Sequence, residues 1–400
     1  MKAVMYGGGN IGRGFIGALL SQSGYEVTFV DVVDAVVDTL NREHKYPVRI
    51  LSNEGHKDVD VLNVSAVNGN NMEAVAEAIA NADIMATAVG ARILKFIVPN
   101  IVAGLRKRWT MGKAPLNIII CENLMDANKV LEEMLKAQLT EEEKAIFDQN
   151  VGLVEASIGR MVPIQTEEMK DGNPMRVCVE SYGFLPVDKS AFKGEIPQIT
   201  NMVPFEPFDF YIKRKLYIHN MGHATCAYLG DLLGLEYIYQ AIDVPEVRII
   251  VQNAMLESAQ ALSKTYGVEL GSVVCHIEDL MYRFTNKALK DTCARVGGDP
   301  ARKLSTEDRL IGSSLLVQKT GAVPVYIAIG AAAGLCRLVK ETEGSKSAKE
   351  LLCETANLQE SNSLVNLIME YYELILEGKS FIELCRLADY TKNTQRANVI

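Results

Sequence analysis

The sequence predicts an α/β protein in which a Rossmann-type doubly wound sheet with extra strands is followed by a mostly α-helical C-terminal domain. Three observations predict this architecture. Short runs rich in Val and Ile alternate with helical patterns in the first half of the chain, as in a parallel sheet covered on both faces. The second half has helical periodicity almost throughout. The chain has 400 residues, which is long enough for two hydrophobic cores.

The strands of the first half are predicted where Val and Ile cluster between turn residues. They comprise residues 2–6, 25–30, 59–67, 83–89 and 116–121. Helical patterns lie between them at residues 11–23, 33–43, 72–81 and 129–137. From residue 151 to 188 the pattern is β-like with little helix, and it includes a strand at 175–180. We expect these later segments to extend the same sheet.

Helices dominate the chain after a stretch rich in Pro and Phe at residues 196–210. They are predicted at residues 216–233, 244–266, 273–284, 305–320, 324–340 and 364–376. We place the domain boundary near residue 200, which gives a sheet-containing domain of residues 1–200 and a helical domain of residues 201–400.

Composition and charge exclude several classes of partner and location. The 41 Lys and Arg residues against 50 Asp and Glu give a net charge of -9, which disfavours nucleic acids and anionic membranes as partners. The longest apolar run, residues 325–338, is interrupted by Gly330 and Gly334 and is too short to cross a bilayer. The residues before the first glycines lack the apolar segment of a signal peptide. Eight scattered cysteines without a C-x-x-C pair indicate reduced thiols, so we expect a cytoplasmic protein.

A glycine-rich turn follows the first predicted strand and opens a helix, which is the context of a dinucleotide site. The motif G-x-G-x-x-G is met by Gly7-Gly8-Gly9-Asn10-Ile11-Gly12. Gly7 permits the tight turn, Gly9 lets the backbone approach a pyrophosphate, and Gly12 allows the helix to pack closely on the strand. The helix N-terminus attracts the anion. We therefore predict that this turn, Gly7, Gly9, Asn10, Ile11 and Gly12, binds a dinucleotide.

Asp31 ends the second predicted strand, where a carboxylate accepts hydrogen bonds from the adenosine ribose and repels a 2′-phosphate. This favours NAD as the cofactor, although Arg13 and Arg42 keep NADP open. Two further strand ends belong to the same edge of the sheet. Val89 follows the fourth strand, and Asn123, after the fifth, could reach the nicotinamide side. An ordinary strand-to-loop turn is the alternative for Asn123.

A cluster of polar side chains marks the start of the helical half. Lys215, His219, Asn220 and His223 span about 140° on a helical wheel, so one side of a helix carries all four. Their apolar neighbours indicate that the helix is buried, and burial makes a lysine a better base near neutral pH. In hydride transfer Lys215 would exchange the hydroxyl proton, Asn220 would donate to the developing alkoxide, and His223 would orient a substrate hydroxyl.

Two other interpretations of this cluster compete with catalysis. A basic, solvated face is disfavoured by the apolar neighbours. The spacing of His219 and His223 is also that of zinc ligands, but Asn220 stands where an H-E-x-x-H motif has Glu, and no third ligand is evident. We expect no metal.

The chain resembles the polyol-specific long-chain dehydrogenases in motifs spread over nearly its whole length. These motifs are GGGNIGRGFIG, TAVG, PLNIIICEN, GRMVP, VDKSAFKG, KRKLYIHNMGHA, YLG and ARVGGDPARKLSTEDRLIG. The resemblance implies a Rossmann-type domain, a helical domain and a metal-free mechanism, with Lys215 as the acid–base residue and Asn220 and His223 as its partners. It also places Glu155 where the mannitol 2-dehydrogenase branch has an oxyanion-hole asparagine.

The resemblance further implies an NAD-dependent oxidoreductase that interconverts mannitol 1-phosphate and fructose 6-phosphate. Residues 1–200 would then bind NAD, and residues 201–400 would supply the substrate and catalytic site. The substrate anion needs cationic partners, and Arg is best suited to phosphate. The candidates are Arg214, Arg295 and Arg302, with Lys213, Lys303 and Arg309 also available, and a surface salt bridge is the alternative role of each.

Other functions stay open on the sequence alone. The same chemistry could act on an unphosphorylated polyol or on a hexuronate. A β-hydroxyacid dehydrogenase also joins a Rossmann domain to a helical one and uses Lys and Asn, but it lacks the paired His spacing. A non-catalytic NAD-binding sensor would leave Lys215 exposed or paired with a carboxylate. The expected partner is a small sugar phosphate or polyol, and the resemblance makes a monomer or a small homo-oligomer plausible.

Overall fold

The computed structural model describes residues 1–124, 126–343 and 346–397 of the chain. The chain divides into two compact units, Met1–Asp209 and Phe210–Ile400. The first unit extends beyond the predicted boundary near residue 200, because the strand Met202–Phe205 pairs with Leu185–Asp188 and so belongs to it.

A six-stranded parallel sheet is the centre of the first unit. The strands of this unit are β1 Lys2–Tyr6, β2 Glu26–Asp31, β3 Lys45–Ser52, β4 Gly55–Leu62, β5 Val64–Asn68, β6 Ile84–Thr87, β7 Leu116–Ile120, β8 Val151–Glu155, β9 Val177–Glu180, β10 Leu185–Asp188 and β11 Met202–Phe205. The large sheet has the order β5-β2-β1-β6-β7-β8. Strand order reverses at β1, so the carboxyl ends of β1, β2 and β6 frame the crevice where such sheets bind ligands.

Helices cover both faces of this sheet. In chain order they are the π-helical turn Gly12–Ile16, then Gly17–Gln22, Asp34–Glu43, Met72–Asn81, Leu94–Thr110, Ala127–Lys136, Glu141–Asn150, Glu167–Lys170 and the short turn Lys189–Ala191. The buried side chains form two separate cores, one containing Phe15, Leu19 and Phe29 and the other containing Ile101 and Ile118. The predicted doubly wound sheet is confirmed.

The smaller sheets depart from the sequence-based expectation. Of the strands described after residue 150, only β8 extends the parallel sheet, since β9 pairs with β3 and β10 pairs with β11. The expectation that this whole region extends one sheet is therefore wrong. The predicted strand at 59–67 is also two strands, because Asn63 adopts a left-handed φ of 56° and the chain passes from one sheet to another there.

The second unit is helical, as predicted. Its helices are Asp209–Arg214, the π-helical turn Lys215–Asn220, Met221–Leu232, Ile238–Asp243, Pro245–Tyr266, Leu270–Phe284, the short turn Lys287–Leu289, Cys293–Gly297, Pro300–Lys303, Ile311–Lys319, Val325–Glu341, Ala348–Ala356, Ser363–Leu376 and Phe381–Ala397. The helix predicted at 305–320 begins later, at Ile311, because residues 304–310 form turns. None of the helices in the described ranges is long and apolar enough to cross a membrane.

The glycines that interrupt the apolar run at 325–338 serve helix packing. A Cβ on Gly330 would lie 2.4 Å from the hydroxyl oxygen of Thr225, and a Cβ on Gly334 would lie 3.0 Å from the ring of Tyr228. Thr225 and Tyr228 are buried on Met221–Leu232. The absence of side chains at both glycines thus lets two helices of the unit approach closely.

Glu257 is a buried carboxylate in the middle of a long helix, only 3% exposed. Its oxygens accept hydrogen bonds from the N–H groups of Tyr326 and Ile327, where a neighbouring helix begins. The ammonium of Lys392 lies 3.7 Å away. Burial outweighs the opposing effects of Lys392 and the two N–H groups and raises the pKa of Glu257 to about 7.

Replacing Glu257 by Gln should flatten the pH dependence of stability. The pKa of Glu257 is raised from 4.5 to about 7 in the folded protein. The stability that comes from holding the Glu257 proton is therefore fully present below the unfolded-state pKa and is lost as the pH rises through the folded-state pKa. The parent protein should lose about 3 kcal/mol relative to E257Q over this interval.

Thermal unfolding between about pH 5 and about pH 8 measures this difference. As the pH rises, the Tm of E257Q should increase relative to the Tm of the parent. The difference in Tm between the exposed-site control Glu278→Gln and the parent should stay constant. Parallel curves for both variants would contradict the titration of Glu257.

Candidate functional site

The turn after β1 has no room for side chains at two of its glycines. Gly7 adopts a φ of +103°, and a Cβ on it would lie 2.4 Å from the carbonyl oxygen of Ala88. A Cβ on Gly12 would lie 1.9 Å from the carbonyl oxygen of Gly7. A Cβ on Gly9 would meet no atom within 4 Å, and Gly9 and Asn10 are exposed. The fold therefore requires two of the glycines, whereas the space at Gly9 is open to a ligand.

Two charged side chains hold the middle of this turn. The Asp31 carboxylate, at the end of β2, accepts hydrogen bonds from the Gly8 N–H at 2.7 Å and the Val33 N–H at 2.9 Å. The buried Arg13 guanidinium donates to the carbonyl oxygens of Gly8 and Met175, both at 2.6 Å. Arg13 therefore braces the turn, and the argument for NADP that rests on Arg13 loses its support.

The ends of β6 and β7 complete the same edge of the sheet. Val89 and Gly90 follow β6, and their N–H groups donate to the two carboxylate oxygens of Glu122, at 2.9 and 2.7 Å. Glu122 follows β7 and is buried, whereas its neighbour Asn123 is exposed. Ile11, at the glycine turn, is partly exposed. The sequence pattern predicted that Val89 and Asn123 lie at this edge of the sheet, but it did not indicate a role for Glu122.

Glu155 ends β8 at the edge of the parallel sheet. Burial raises the pKa of its carboxyl group, with Asp126 and Asp188 adding to the increase, although it accepts a hydrogen bond from the Ala127 N–H. A carboxyl group with a raised pKa binds its proton more readily, and in that form it can donate a hydrogen bond to a substrate oxygen. This chemistry is compatible with the catalytic role predicted for Glu155.

In the second unit, Lys215 and Asn220 are the two ends of the π-helical turn Lys215–Asn220. In a π-helix each N–H bonds to the carbonyl five residues earlier, so residues five apart stand one turn above each other. The α-helical wheel, which sets these two residues about 140° apart, does not apply here. The wider turn instead brings Lys215 and Asn220 to the same side of the helix. Such turns are frequent at functional sites.

The ammonium of Lys215 lies in an environment that disfavours its charge, although part of the side chain is exposed. Burial lowers the pKa of Lys215 to about 8, and repulsion by the guanidinium of Arg309 adds to the decrease. A lysine with this pKa can accept a proton in one direction of a reaction and return it in the other near neutral pH.

His223 follows Asn220 on the next helix and is fixed by its neighbours. Its ring stacks on Phe284, with centroids 4.9 Å apart. Nε2 lies 3.2 Å from Oδ2 of Asp291, without hydrogen-bond geometry. Asp291 also accepts a hydrogen bond from Nε of Arg295 at 2.7 Å. Burial raises the pKa of Asp291, but His223 and Arg295 outweigh it and keep that pKa below its usual value. Arg295, predicted as an anion ligand, is thus paired with Asp291, which lies beside His223.

His219 is buried, and its surroundings favour the neutral ring. Burial lowers its pKa well below the usual range, and Arg283 is the strongest of the charged groups that lower it further, ahead of His223 and His276. Arg283 and His276 were not predicted from the sequence, although their spacing of seven residues places them on one face of Leu270–Phe284. The described residues contain no group of three or more His, Cys, Asp or Glu side chains placed to hold a metal.

Lys303 is a second lysine in an unfavourable environment, 4% exposed. Burial lowers its pKa to about 8, and repulsion by Arg309 and Arg302 adds to the decrease. The two carboxylates that act on it, Asp299 and Asp308, are paired with those arginines. Within the described part of the chain Lys303 therefore has no ion pair.

The arginines near Lys303 differ in what they leave for a ligand. Arg302 is half exposed, and its Nε and Nη1 donate to Asp299 and Asp308, both at 2.7 Å. Arg309 is nearly buried and donates through Nε to Asp308 at 2.7 Å. Arg214 stacks on the Tyr211 ring at 4.5 Å. Arg302 thus donates to two carboxylates and Arg309 to one, whereas Lys303 has no ion pair among the described residues.

Two family models together match most of the chain. The model of the mannitol dehydrogenase Rossmann domain matches residues 1–201. The model of the mannitol dehydrogenase C-terminal domain matches residues 208–378.

Relatives of known name and solved structures match over similar lengths. A mannitol-1-phosphate 5-dehydrogenase of Bacillus licheniformis is 36% identical over 381 residues, which cover 93% of this chain and 99% of that protein. One of Bacillus subtilis is 39% identical over 82% of this chain and 86% of its own length. The Pseudomonas fluorescens mannitol 2-dehydrogenase ternary complex with NAD and D-mannitol gives a TM-score of 0.74 at 14% identity, over 97% and 94% of the two chains. Substrate-free D-sorbitol dehydrogenase gives 0.79 at 16%, over 94% and 93%. At these identities the two structures show the fold alone.

Alanine at Gly12 and at Gly9 should separate folding from ligand binding. Gly12→Ala forces a Cβ against the carbonyl oxygen of Gly7, so the free energy of unfolding should fall by about 1–3 kcal/mol or more. Gly9→Ala is the matched control, because its Cβ meets no protein atom. Thermal unfolding without added ligand should show a lower Tm for Gly12→Ala alone, and equal Tm values for the two variants would contradict this account.

Proposed function

This chain belongs to the mannitol dehydrogenase family, and we propose that it catalyses the NAD-dependent interconversion of mannitol 1-phosphate and fructose 6-phosphate. The observation that carries the proposal is Lys215, whose pKa is lowered to about 8 on a turn that it shares with Asn220. Relatives that are 36–40% identical over most of the chain are mannitol-1-phosphate 5-dehydrogenases.

The residues of the first unit fit a dinucleotide. The open space at Gly9 allows a pyrophosphate to approach the backbone, which a side chain there would obstruct. Asp31 accepts two N–H groups and has further lone pairs for the ribose hydroxyls. When bound, NAD supplies the hydride acceptor and NADH the hydride donor.

Lys215 is the general acid–base residue of the proposed reaction. In alcohol oxidation the carbinol C–H bond breaks with transfer of hydride to the cofactor, and neutral Lys215 takes the hydroxyl proton. In ketone reduction the Lys215 ammonium returns a proton to the oxygen. Because the pKa of Lys215 is about 8, both of its protonation states are available near neutral pH.

Three other side chains assist by donating hydrogen bonds. The amide of Asn220, one π-helical turn from Lys215, donates to the oxygen on which charge develops. His223 acts through Nδ1, because its Nε2 faces Asp291 at 3.2 Å. Glu155 is the third: burial raises the pKa of its carboxyl group, and a proton held there would let it donate as well.

Lys303 and Arg309 support a phosphorylated substrate in preference to a free polyol. Burial and the neighbouring guanidiniums of Arg309 and Arg302 lower the pKa of Lys303, and no carboxylate in the described part of the chain forms an ion pair with its ammonium. A phosphate monoester, which carries about −1.5 to −2 charges at neutral pH, would supply the anion that Lys303 lacks. The guanidinium of Arg309 can also bind phosphate oxygens in a bidentate manner.

We further propose a cytoplasmic location and a monomer or small homo-oligomer. All eight cysteines are unpaired, which is typical of proteins in a reducing compartment. The net charge of -9 supports a small-molecule partner over nucleic acid or an anionic membrane.

Lys215→Ala should abolish most of the turnover while NADH still binds. Removal of a general acid–base residue typically costs about 10²–10⁴ in rate. Steady-state kinetics with mannitol 1-phosphate and NAD measure the first effect, and titration of NADH fluorescence measures the second. In the parent, kcat/KM for oxidation should increase as the pH rises through about 8, because this ratio reports the free enzyme and only neutral Lys215 accepts the proton.

Lys213→Ala is the matched control for this experiment, since it removes a neighbouring lysine that stacks on Tyr266. It should leave turnover within about threefold of the parent. Turnover by Lys215→Ala close to that of the parent would overturn the assignment of the base.

Removal of Lys303 or Arg309 should reduce the preference for a phosphorylated substrate. With NAD, the parent should use mannitol 1-phosphate in preference to mannitol, arabinitol and mannonate. Lys303→Met and Arg309→Met each delete a charged hydrogen bond to the phosphate, so the ratio of kcat/KM for mannitol 1-phosphate to that for mannitol should fall about 10–100-fold.

Arg302→Met is the matched control, because Arg302 already binds Asp299 and Asp308. It should change this ratio much less than the other two variants. Equal or better activity of the parent on unphosphorylated compounds would contradict the proposal of a phosphorylated substrate and favour a polyol or hexuronate dehydrogenase. A larger effect of Arg302→Met would return the role to that arginine.

A further inference from the structure

We propose that Glu122 is a positioning residue that fixes the turn of Val89 and Gly90 for the nicotinamide ring of the cofactor. The inference rests on the proposed use of NAD but not on the identity of the sugar substrate.

Glu122 is a buried carboxylate whose hydrogen bonds come from the backbone. It is 7% exposed, and its two oxygens accept the N–H groups of Val89 and Gly90 at 2.9 and 2.7 Å. A buried carboxylate is unfavourable unless its oxygens are hydrogen-bonded. Two consecutive N–H groups bonded to one rigid carboxylate leave the turn a single orientation, and Gly90 supplies the left-handed φ of +91° that this orientation requires.

The position of this turn relative to the sheet points to the nicotinamide half. The glycine turn that faces the pyrophosphate follows β1, and Asp31, suited to the adenosine ribose, ends β2 on one side of it. β6 and β7 lie on the other side of β1. A dinucleotide that crosses the switch point therefore extends its second nucleoside over the ends of β6 and β7, where Val89 and Glu122 lie.

The turn can move without disturbing the pyrophosphate site. Ala88, which precedes it, is held separately by β1, because its N–H donates to the carbonyl of Tyr6 at 2.9 Å. The contact of Ala88 with Gly7 is thus independent of Glu122. Loss of the Glu122 carboxylate should free Val89 and Gly90 while the glycine turn stays in place.

This independence separates positioning from general structural support. ADP-ribose contains the adenosine, the pyrophosphate and the second ribose but lacks the nicotinamide ring. A residue that only stabilises the domain should affect ADP-ribose and NADH alike, whereas the proposed role of Glu122 affects mainly NADH. Isothermal titration of both ligands with the full chain measures this difference.

Glu122→Ala should weaken NADH binding about tenfold or more and change the dissociation constant of ADP-ribose by less than about threefold. Glu122→Gln retains one acceptor oxygen and should have an intermediate effect. If the alanine variant does not fold, the glutamine variant carries the test. Glu180→Gln is the matched control, because Glu180 is 1% exposed in the same unit and accepts the Met161 N–H. It should leave the ratio of the two dissociation constants unchanged.

Equal weakening of NADH and ADP-ribose in the Glu122 variants, or unchanged NADH binding, would overturn the proposal. No sugar is present in these titrations, so an error in the proposed substrate leaves the result intact. Failure of the parent to bind NADH at all would instead refute the proposed cofactor.

Discussion

No side chain fits at Gly7 or at Gly12, where β1 leads into the helix that follows it. A Cβ on Gly12 would lie 1.9 Å from the carbonyl oxygen of Gly7, so this approach requires bare backbone. Bare backbone has polar groups that must be satisfied when they are buried. Asp31 and Arg13 provide partners for the N–H and the carbonyl of Gly8. Charged side chains in this part of the first unit are therefore bonded to backbone and not to one another, and the open side of the turn remains for a ligand.

In the second unit, Lys215, Lys303 and Arg309 place positive charges close together. Lys215 and Lys303 both have pKa values lowered to about 8, and Arg309 contributes to both decreases. Repulsion among buried cations costs stability in the unliganded protein. Glu257, by contrast, is a buried charge with N–H partners and a nearby Lys392. Lys303 differs from Glu257 because no ion pair compensates its charge within the part of the chain that the structure describes, and a bound phosphate monoester would supply one.

Local sequence patterns predicted most helices and strands, whereas strand pairing and the partners of the charged side chains depend on tertiary contacts. The bounds of β1 and of Met72–Asn81 agree with the sequence-based prediction, since period and turn residues are local. The partner of β9 depends on which strand edge the chain reaches, and this is not encoded within the strand itself. The predicted anion ligands Arg295 and Arg302 are paired with nearby carboxylates, namely Asp291 four residues before Arg295 and Asp299 three residues before Arg302, and Arg302 also binds Asp308. Spacing alone cannot separate such pairs from a cation left for a substrate.

Phosphate recognition and proton transfer are coupled through Arg309 in the proposed site. Burial lowers the pKa of Lys215 in the free protein, and repulsion by the Arg309 guanidinium lowers it further. A phosphate dianion bound to Arg309 offsets part of that repulsion, so the pKa of Lys215 rises toward its ordinary value when the substrate binds. The protonated ammonium, which is the form that reduces a ketone, then becomes more populated at neutral pH. An unphosphorylated polyol brings no such charge and leaves the base unchanged. The phosphate thus contributes to the protonation state of Lys215 as well as to binding. Discrimination between the phosphorylated and the unphosphorylated substrate should therefore affect kcat as well as KM.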